Sequence, residues 1–232
     1  MDFCIIHIYS EASIDSKAVA REIAKVFPTC KIDVRPFFEY DGRIEQARIS
    51  DIKQPFEKQS KGSGGAVPLY DGFWMQRILA EIIPATESSH VHIIFTGLLT
   101  CTFSEDDWRY HGRAVVCGTP SIISTTGIVE APARPKEFYL AQFGGMTGGR
   151  PKKKIVCRFI DYDDDMTAAA TVYALQALFF FVADGDPFCN DRNCRLYNAH
   201  WQEELIRMVE KRALCGRHRQ MANKFNKKAG RH

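Results

Sequence analysis

The alternation of apolar and polar positions sets out most of the chain. Residues 3–9 (Phe-Cys-Ile-Ile-His-Ile-Tyr) are rich in β-branched and aromatic types and predict a first strand. Residues 14–27 carry apolar positions at helical spacing behind Ser13 as a cap, and residues 31–36 return to a strand pattern. This strand–helix–strand start predicts a mixed α/β sheet. Residues 41–67 are polar and lead into Lys61-Gly-Ser-Gly-Gly-Ala-Val-Pro68, which reads as a mobile connection or as a lid over a substrate. Helical periodicity resumes over 71–83 and stops at Pro84, and residues 90–99 make a strongly apolar strand. From 100 to 149 extended segments joined by turns are expected, with strands at 113–117 and 121–128, and 154–160 reads as one more strand. Between them lie Gly144-Gly-Met-Thr-Gly-Gly149 and Pro151-Lys-Lys-Lys154, a basic glycine-rich loop with neither P-loop nor dinucleotide-binding spacing.

The pattern changes at residues 166–183, which contain no formal charge. Eighteen such residues approach the length of a membrane span. However, Thr167, Thr171 and Gln176 interrupt the run, acids at 161–165 and 184–186 flank it, and no Lys or Arg anchors either end. A central helix buried on all sides, with no membrane involved, is the expectation.

The composition, 45% hydrophobic and 25% charged over 232 residues, is that of a folded globular chain and excludes global disorder. A net charge of +3 does not by itself argue for nucleic acid. The charge is uneven, because residues 207–232 are rich in Lys and Arg; this basic tail could touch RNA or an acidic partner, or be a solvated helix with a frayed end. The first ten residues lack the basic region and long apolar run of a signal peptide, and eight cysteines without such a signal point to reduced thiols in the cytoplasm.

Cys189, Cys194, Cys215 and His218 carry the most specific chemistry. They read C-x4-C, twenty residues, then C-x2-H, a spacing that can close a tetrahedral zinc site. The other reading is that the cysteines share no role. His200, six residues past Cys194, competes as fourth ligand or simply decorates the start of the helix that follows. A zinc with four protein ligands has no open position for water, so such a site would be structural. Other histidines are candidates for a second metal site: His90 and His92 share one face of a strand, and His111 lies near Asp106 and Asp107 in the polar, aromatic segment 104–113. Satisfied core or edge histidines are the alternative for the pair, and surface ion pairs for the segment.

The layout resembles the archaemetzincins, a metzincin-type branch of zinc peptidases. Their signature joins H-E-x-x-H-x-x-G-x-x-H to C-x4-C-x-M and, further on, C-x-x-C, where the three His hold a catalytic zinc and the Glu is general base. Cys189 and Cys194 match the first cysteine pair, Leu196 stands at the methionine-turn position, and Cys215 and His218 match the second pair with His for the last Cys. Upstream, Val172-Tyr-Ala-Leu-Gln-Ala-Leu-Phe179 mirrors the catalytic helix, with Tyr173 at the first His, Ala174 at the base and Ala177 at the second His. The stretches Thr96-Gly-Leu-Leu-Thr-Cys-Thr102 and Ile128-Val-Glu-Ala-Pro-Ala-Arg134 are also similar to a mainly archaeal family of metallopeptidase-like proteins.

The resemblance implies an α/β zincin-like, metzincin-type mixed sheet with a central buried helix. It divides the chain into an α/β domain (1–186), a zinc-knuckle helical unit (187–220) carrying one structural zinc, and a flexible basic tail (221–232). The expected function is that of a catalytically inactive metallopeptidase homologue that binds a peptide or protein. The alternatives are an active zinc peptidase whose ligands come from His90, His92 or His111, and an RNA- or ribosome-associated protein.

Overall fold

The computed structural model describes residues 5–10, 13–37, 42–49, 67–134, 159–162 and 165–230. Strand β1 (Ile5–Ser10), helix α1 (Ser16–Val26) and strand β2 (Lys31–Pro36) form the expected parallel unit. Asp15 rather than Ser13 caps α1, its carboxylate accepting from the Ala18 N–H at 2.9 Å. A 3₁₀ turn (Gly42–Ala47), β3 (Arg48–Ile49) and β4 (Leu69–Asp71) lead into α2 (Gly72–Ile82), which Asp71 caps by accepting from the Trp74 N–H. Strands β5 (Val91–Thr96) and β6 (Leu99–Ser104) divide the apolar run at 90–99, and β7 (Arg109–Arg113) returns from β6 as a hairpin, so the polar segment 104–113 is largely hairpin and turn. After β8 (Val115–Val116) and β9 (Ser121–Ser124) comes α3 (Thr125–Glu130). The strand expected over 121–128 stops at Ser124 because its hydroxyl oxygen accepts from the Gly127 N–H at 2.7 Å and turns the chain into a helix. The basic loop at 144–154 and most of the polar stretch at 50–66 lie outside the described residues.

Two mixed sheets result. The larger has the order β2-β1-β5-β9-β8, parallel except for the antiparallel edge strand β8; the smaller has the order β3-β4-β6-β7. Strand alternation sends Ile6, Ile8, Val91, Ile93 and Phe95 to one face of the larger sheet, where they share a core with α1 and the helix α4 (Asp165–Val182). Tyr9, Ile94 and Ile122 belong to a second core with Met75, Ile78 and Leu79 of α2.

Helix α4 is apolar all round, and residues 166 and 169–179 are buried, as a helix surrounded by α1, α3 and α5 (Gln202–Lys211) requires. It is the one described helix long and apolar enough to cross a membrane, and 67% of that span is buried inside the fold. The last helix, α6 (Gly216–Ala229), runs on through most of the stretch read from sequence as a basic tail. It is tied down there: Phe225 packs edge-on against Phe27 at 5.5 Å, and the Asn226 amide donates to the Val26 carbonyl at 2.9 Å.

Candidate metal centre and adjoining cleft

Local folding brings the two halves of the Cys/His pattern together. Asp191 shapes the first loop, its carbonyl accepting from the Cys194 N–H and its carboxylate from the Asn193 N–H, each at 2.9 Å. Helix α5 ends on Arg212, whose left-handed backbone (φ 49°) reverses the chain, and the Ala213 carbonyl accepts from the Arg195 N–H at 2.7 Å. Cys215 then takes the N-cap position of α6, with His218 one turn further on.

The four ligand-type atoms lie within 4.8 Å of one another and could hold a metal ion. Cys189 Sγ is 3.9 Å from Cys215 Sγ, and His218 Nδ1 is 3.6 Å from Cys194 Sγ and 3.1 Å from Cys215 Sγ. A tetrahedral ion with the usual metal–sulfur and metal–nitrogen bonds would set about 3.8 Å between sulfurs and about 3.6 Å between sulfur and nitrogen, so the donors fit. Backbone N–H groups of Asp191, Leu196 and Cys215 point at the sulfurs of Cys189, Cys194 and Cys194 at 3.4–3.5 Å, supporting negative charge there. Burial pushes the Cys194 thiol up to about 12 and also raises Cys189. Cys215 is half-buried, which raises its thiol, but N–H groups such as that of His218 at the start of α6 outweigh this and draw it down. Burial keeps the His218 imidazole neutral, the form that ligates; its Nε2 is buried with no hydrogen-bond partner among the described residues, and Phe179 of α4 meets the ring edge-on at 5.4 Å. His200 is exposed and away from this cluster; Glu204 accepts from its backbone N–H at 2.9 Å at the start of α5.

Beside the cluster, Tyr173 and Gln176 of α4 form the floor of a cleft of about 170 Å³, walled by residues 112–115 of β7 and β8 and by Asn198 and His200. The Gln176 amide donates to the Tyr197 carbonyl at 3.0 Å, and its buried Oε1 has no partner among the described residues. Among the side chains that line this cleft, His200 brings the one imidazole, and there is no thiol or carboxylate. Ala174 and Ala177 are fully buried in the core, and burial holds the Tyr173 phenol protonated.

A second group of histidines was only half visible in the sequence. His90 and His92 meet His7, whose alternation marked it as a strand residue and nothing more. The parallel register places Asp33, His7 and His92 side by side across β2, β1 and β5. His7, Glu87 and His92 also come within metal-binding distance of one another, but every ring nitrogen of the two imidazoles already has a hydrogen-bond partner. His7 Nδ1 donates to Asp33 at 3.1 Å and its Nε2 accepts from His90 at 2.9 Å, while His92 Nε2 donates to the Glu87 carbonyl at 3.0 Å and its Nδ1 accepts from the Tyr9 hydroxyl at 3.2 Å. Arg35 forks onto both Glu87 oxygens at 2.7 and 2.8 Å. The network is complete without an ion, and the guanidinium would repel one. His111 lies apart from it, paired with Asp107 at 2.9 Å on the smaller sheet.

Burial, with Arg35 adding to it at His7, holds both His7 and His92 below the ordinary imidazole value. As pH falls through about 6.5 the unfolded chain takes up protons that these two sites resist, so stability should drop progressively below that pH. Urea midpoints measured from pH 7.5 to 5 should show this decline, and the double variant His7→Gln/His92→Gln should flatten it; an equally steep decline in that variant would assign the effect elsewhere.

An α/β protein with two mixed sheets, a buried central helix and a thiol–imidazole cluster able to hold a metal is thus the class that fold and site define. The chain belongs to the Probable metallopeptidase family DUF6775, whose model matches residues 2–225. No curated protein and no solved structure matches it.

Proposed function

We propose that this chain is a non-catalytic member of its metallopeptidase family. It holds one structural zinc on Cys189, Cys194, Cys215 and His218 and uses the adjoining cleft to bind a peptide or protein segment. One observation carries the reading. At the positions where the metzincin resemblance puts two metal ligands and the general base stand Tyr173, Ala177 and Ala174, and the cleft over Tyr173 offers no thiol or carboxylate and a single imidazole, that of His200. One imidazole cannot hold a catalytic ion, and fold does not confer activity without ligands. The metzincin-type arrangement is supported by the antiparallel edge strand β8 beside the cleft, the central helix α4 beneath it, and fully buried Leu196 at the methionine-turn position. The unpartnered Gln176 Oε1 gives a bound N–H donor, such as a peptide amide, a place to bond.

Elemental analysis combined with a peptide-library cleavage assay tests this. The expected result is close to one zinc per chain and no cleavage, with or without added zinc. Two zincs per chain, or cleavage that a chelator stops, would overturn it.

A further inference from the structure

A second cleft, of about 240 Å³, lies between α1 and α4 beside the knuckle loop. Arg21 and Glu22 of α1, Thr167 and Thr171 of α4, and Arg195 and Arg212 from either side of α5 line it. Its ionic lining is three guanidinium groups against one carboxylate, a formal balance of +3 − 1 = +2. Glu22 is shared, since it pairs with Lys25 as well as with Arg195, whose Nη1 donates to it at 3.2 Å. Among the described residues Arg21 pairs with Asp15, at 3.8 Å, and Arg212 Nε donates to the Val209 carbonyl at 3.3 Å. Thr171 donates to the Thr167 carbonyl, and the Thr167 hydroxyl oxygen accepts from the Asp15 N–H.

Arg195 is the unusual member. It is 6% exposed, and its Nε is buried with no hydrogen-bond partner among the described residues. A guanidinium is always charged and its donors form a planar fork suited to oxyanions. Buried there with only a share of the Glu22 carboxylate, and with the charge of Arg212 acting on it, the guanidinium is under-neutralised unless an anion joins it. The cleft has room for a tetrahedral anion, and its excess of two positive charges matches a dianion.

We propose that this cleft binds a phosphate-type oxyanion, free or as the terminal group of a phosphomonoester, with Arg195 as the buried anchor and Arg21 and Arg212 closing over it from the surface. The site is separate from the peptide cleft and does not depend on the absence of peptidase activity; Arg195 directly follows Cys194, so the zinc content of each sample distinguishes a loosened knuckle from a missing anion site.

Calorimetric titration of the full chain with inorganic phosphate at constant ionic strength tests it, with zinc content measured on every sample. One saturable site per chain is expected. Arg212→Gln and Arg21→Gln, both at exposed positions, should each weaken it about tenfold, the size of a lost charge-assisted hydrogen bond. Arg195→Gln should abolish it; because that residue is buried, the two surface variants decide the matter if it fails to fold. AMP binding at the same site and more tightly than phosphate would identify a phosphomonoester as the ligand, and equal affinity would identify the free ion. Binding no stronger than that of chloride, acetate binding as tightly as phosphate, or unchanged affinity in both surface variants would overturn the proposal.

Discussion

Replacement of Cys194 by Ser is expected to empty the metal centre and unfold the C-terminal part of the chain. Cys194 is fully buried, its sulfur accepts from two backbone N–H groups, and it faces His218 across the cluster. A hydroxyl there is a poor zinc ligand, and the remaining thiols and imidazole would be buried without the ion that balances them. Structural zinc contributes an apparent ~10–16 kcal/mol in small zinc-dependent folds. Only part of that should appear as global stability here, because the apolar core that joins α5 and α6 to α1, α4 and the larger sheet extends well beyond the cluster. Zinc content should fall to near zero, and amide protection in α5 and α6 should be lost before that of the sheet. Chelation of the unmodified chain should give the same pattern. Cys101→Ser is the control: that thiol lies buried at the smaller sheet, away from the cluster, and its loss should leave the zinc in place. A Cys194→Ser protein that kept full zinc and full protection would remove the metal centre from the account of this fold.

The second large effect is expected at Gly127. A methyl group there would collide with the Arg113 carbonyl oxygen, well inside van der Waals contact, and meet that carbonyl carbon at 2.8 Å and Ala114 Cα at 3.0 Å. These are backbone atoms and cannot rotate away. Gly127→Ala should therefore cost at least the ~1–3 kcal/mol typical of overpacking, read as a lowered denaturant midpoint. Because residues 112–115 form a wall of the Tyr173 cleft, the same change should weaken any peptide bound there beyond its effect on stability. A Gly127→Ala protein as stable as the parent would mean that α3 and β7 are free to separate.

Sequence and structure agree where the signal is local. The β1–α1–β2 start, the charge-free apolar run of α4 and the spacing of Cys189, Cys194, Cys215 and His218 are patterns within a few turns or strands of chain, and those were legible. The smaller sheet was not, because two of its three pairings involve very short strands and join residues far apart in sequence: Arg48 with Tyr70, Leu69 with Leu99. Helix α3 was hidden for a different reason. Thr125, Thr126, Ile128 and Val129 favour a strand by side-chain type, and only the Ser124 cap and burial in the core select the helix. The His7 network depended on the parallel register that aligns Asp33, His7 and His92, which no single strand encodes. Reading Tyr173, Ala174 and Ala177 as positions without the ligands that the resemblance expects needed no structure, since an alanine states its chemistry without a fold.

The burial of the Cys/His cluster also governs how fast it would exchange its ion. His218 and Cys194 have no solvent contact, and the edge of the Phe179 ring in α4 stands against the imidazole. An ion held there by four protein ligands has no open coordination position, and its half-buried ligand, Cys215, stands at the N-cap of α6, so its departure is expected to need the start of α6 to lift from the body of the protein. Isotopic zinc exchange would then run at the rate of that opening, independent of chelator concentration once the chelator is in excess. The cluster would act as a clock for local unfolding, slow in the intact chain and faster whenever the hold of Phe179 is loosened.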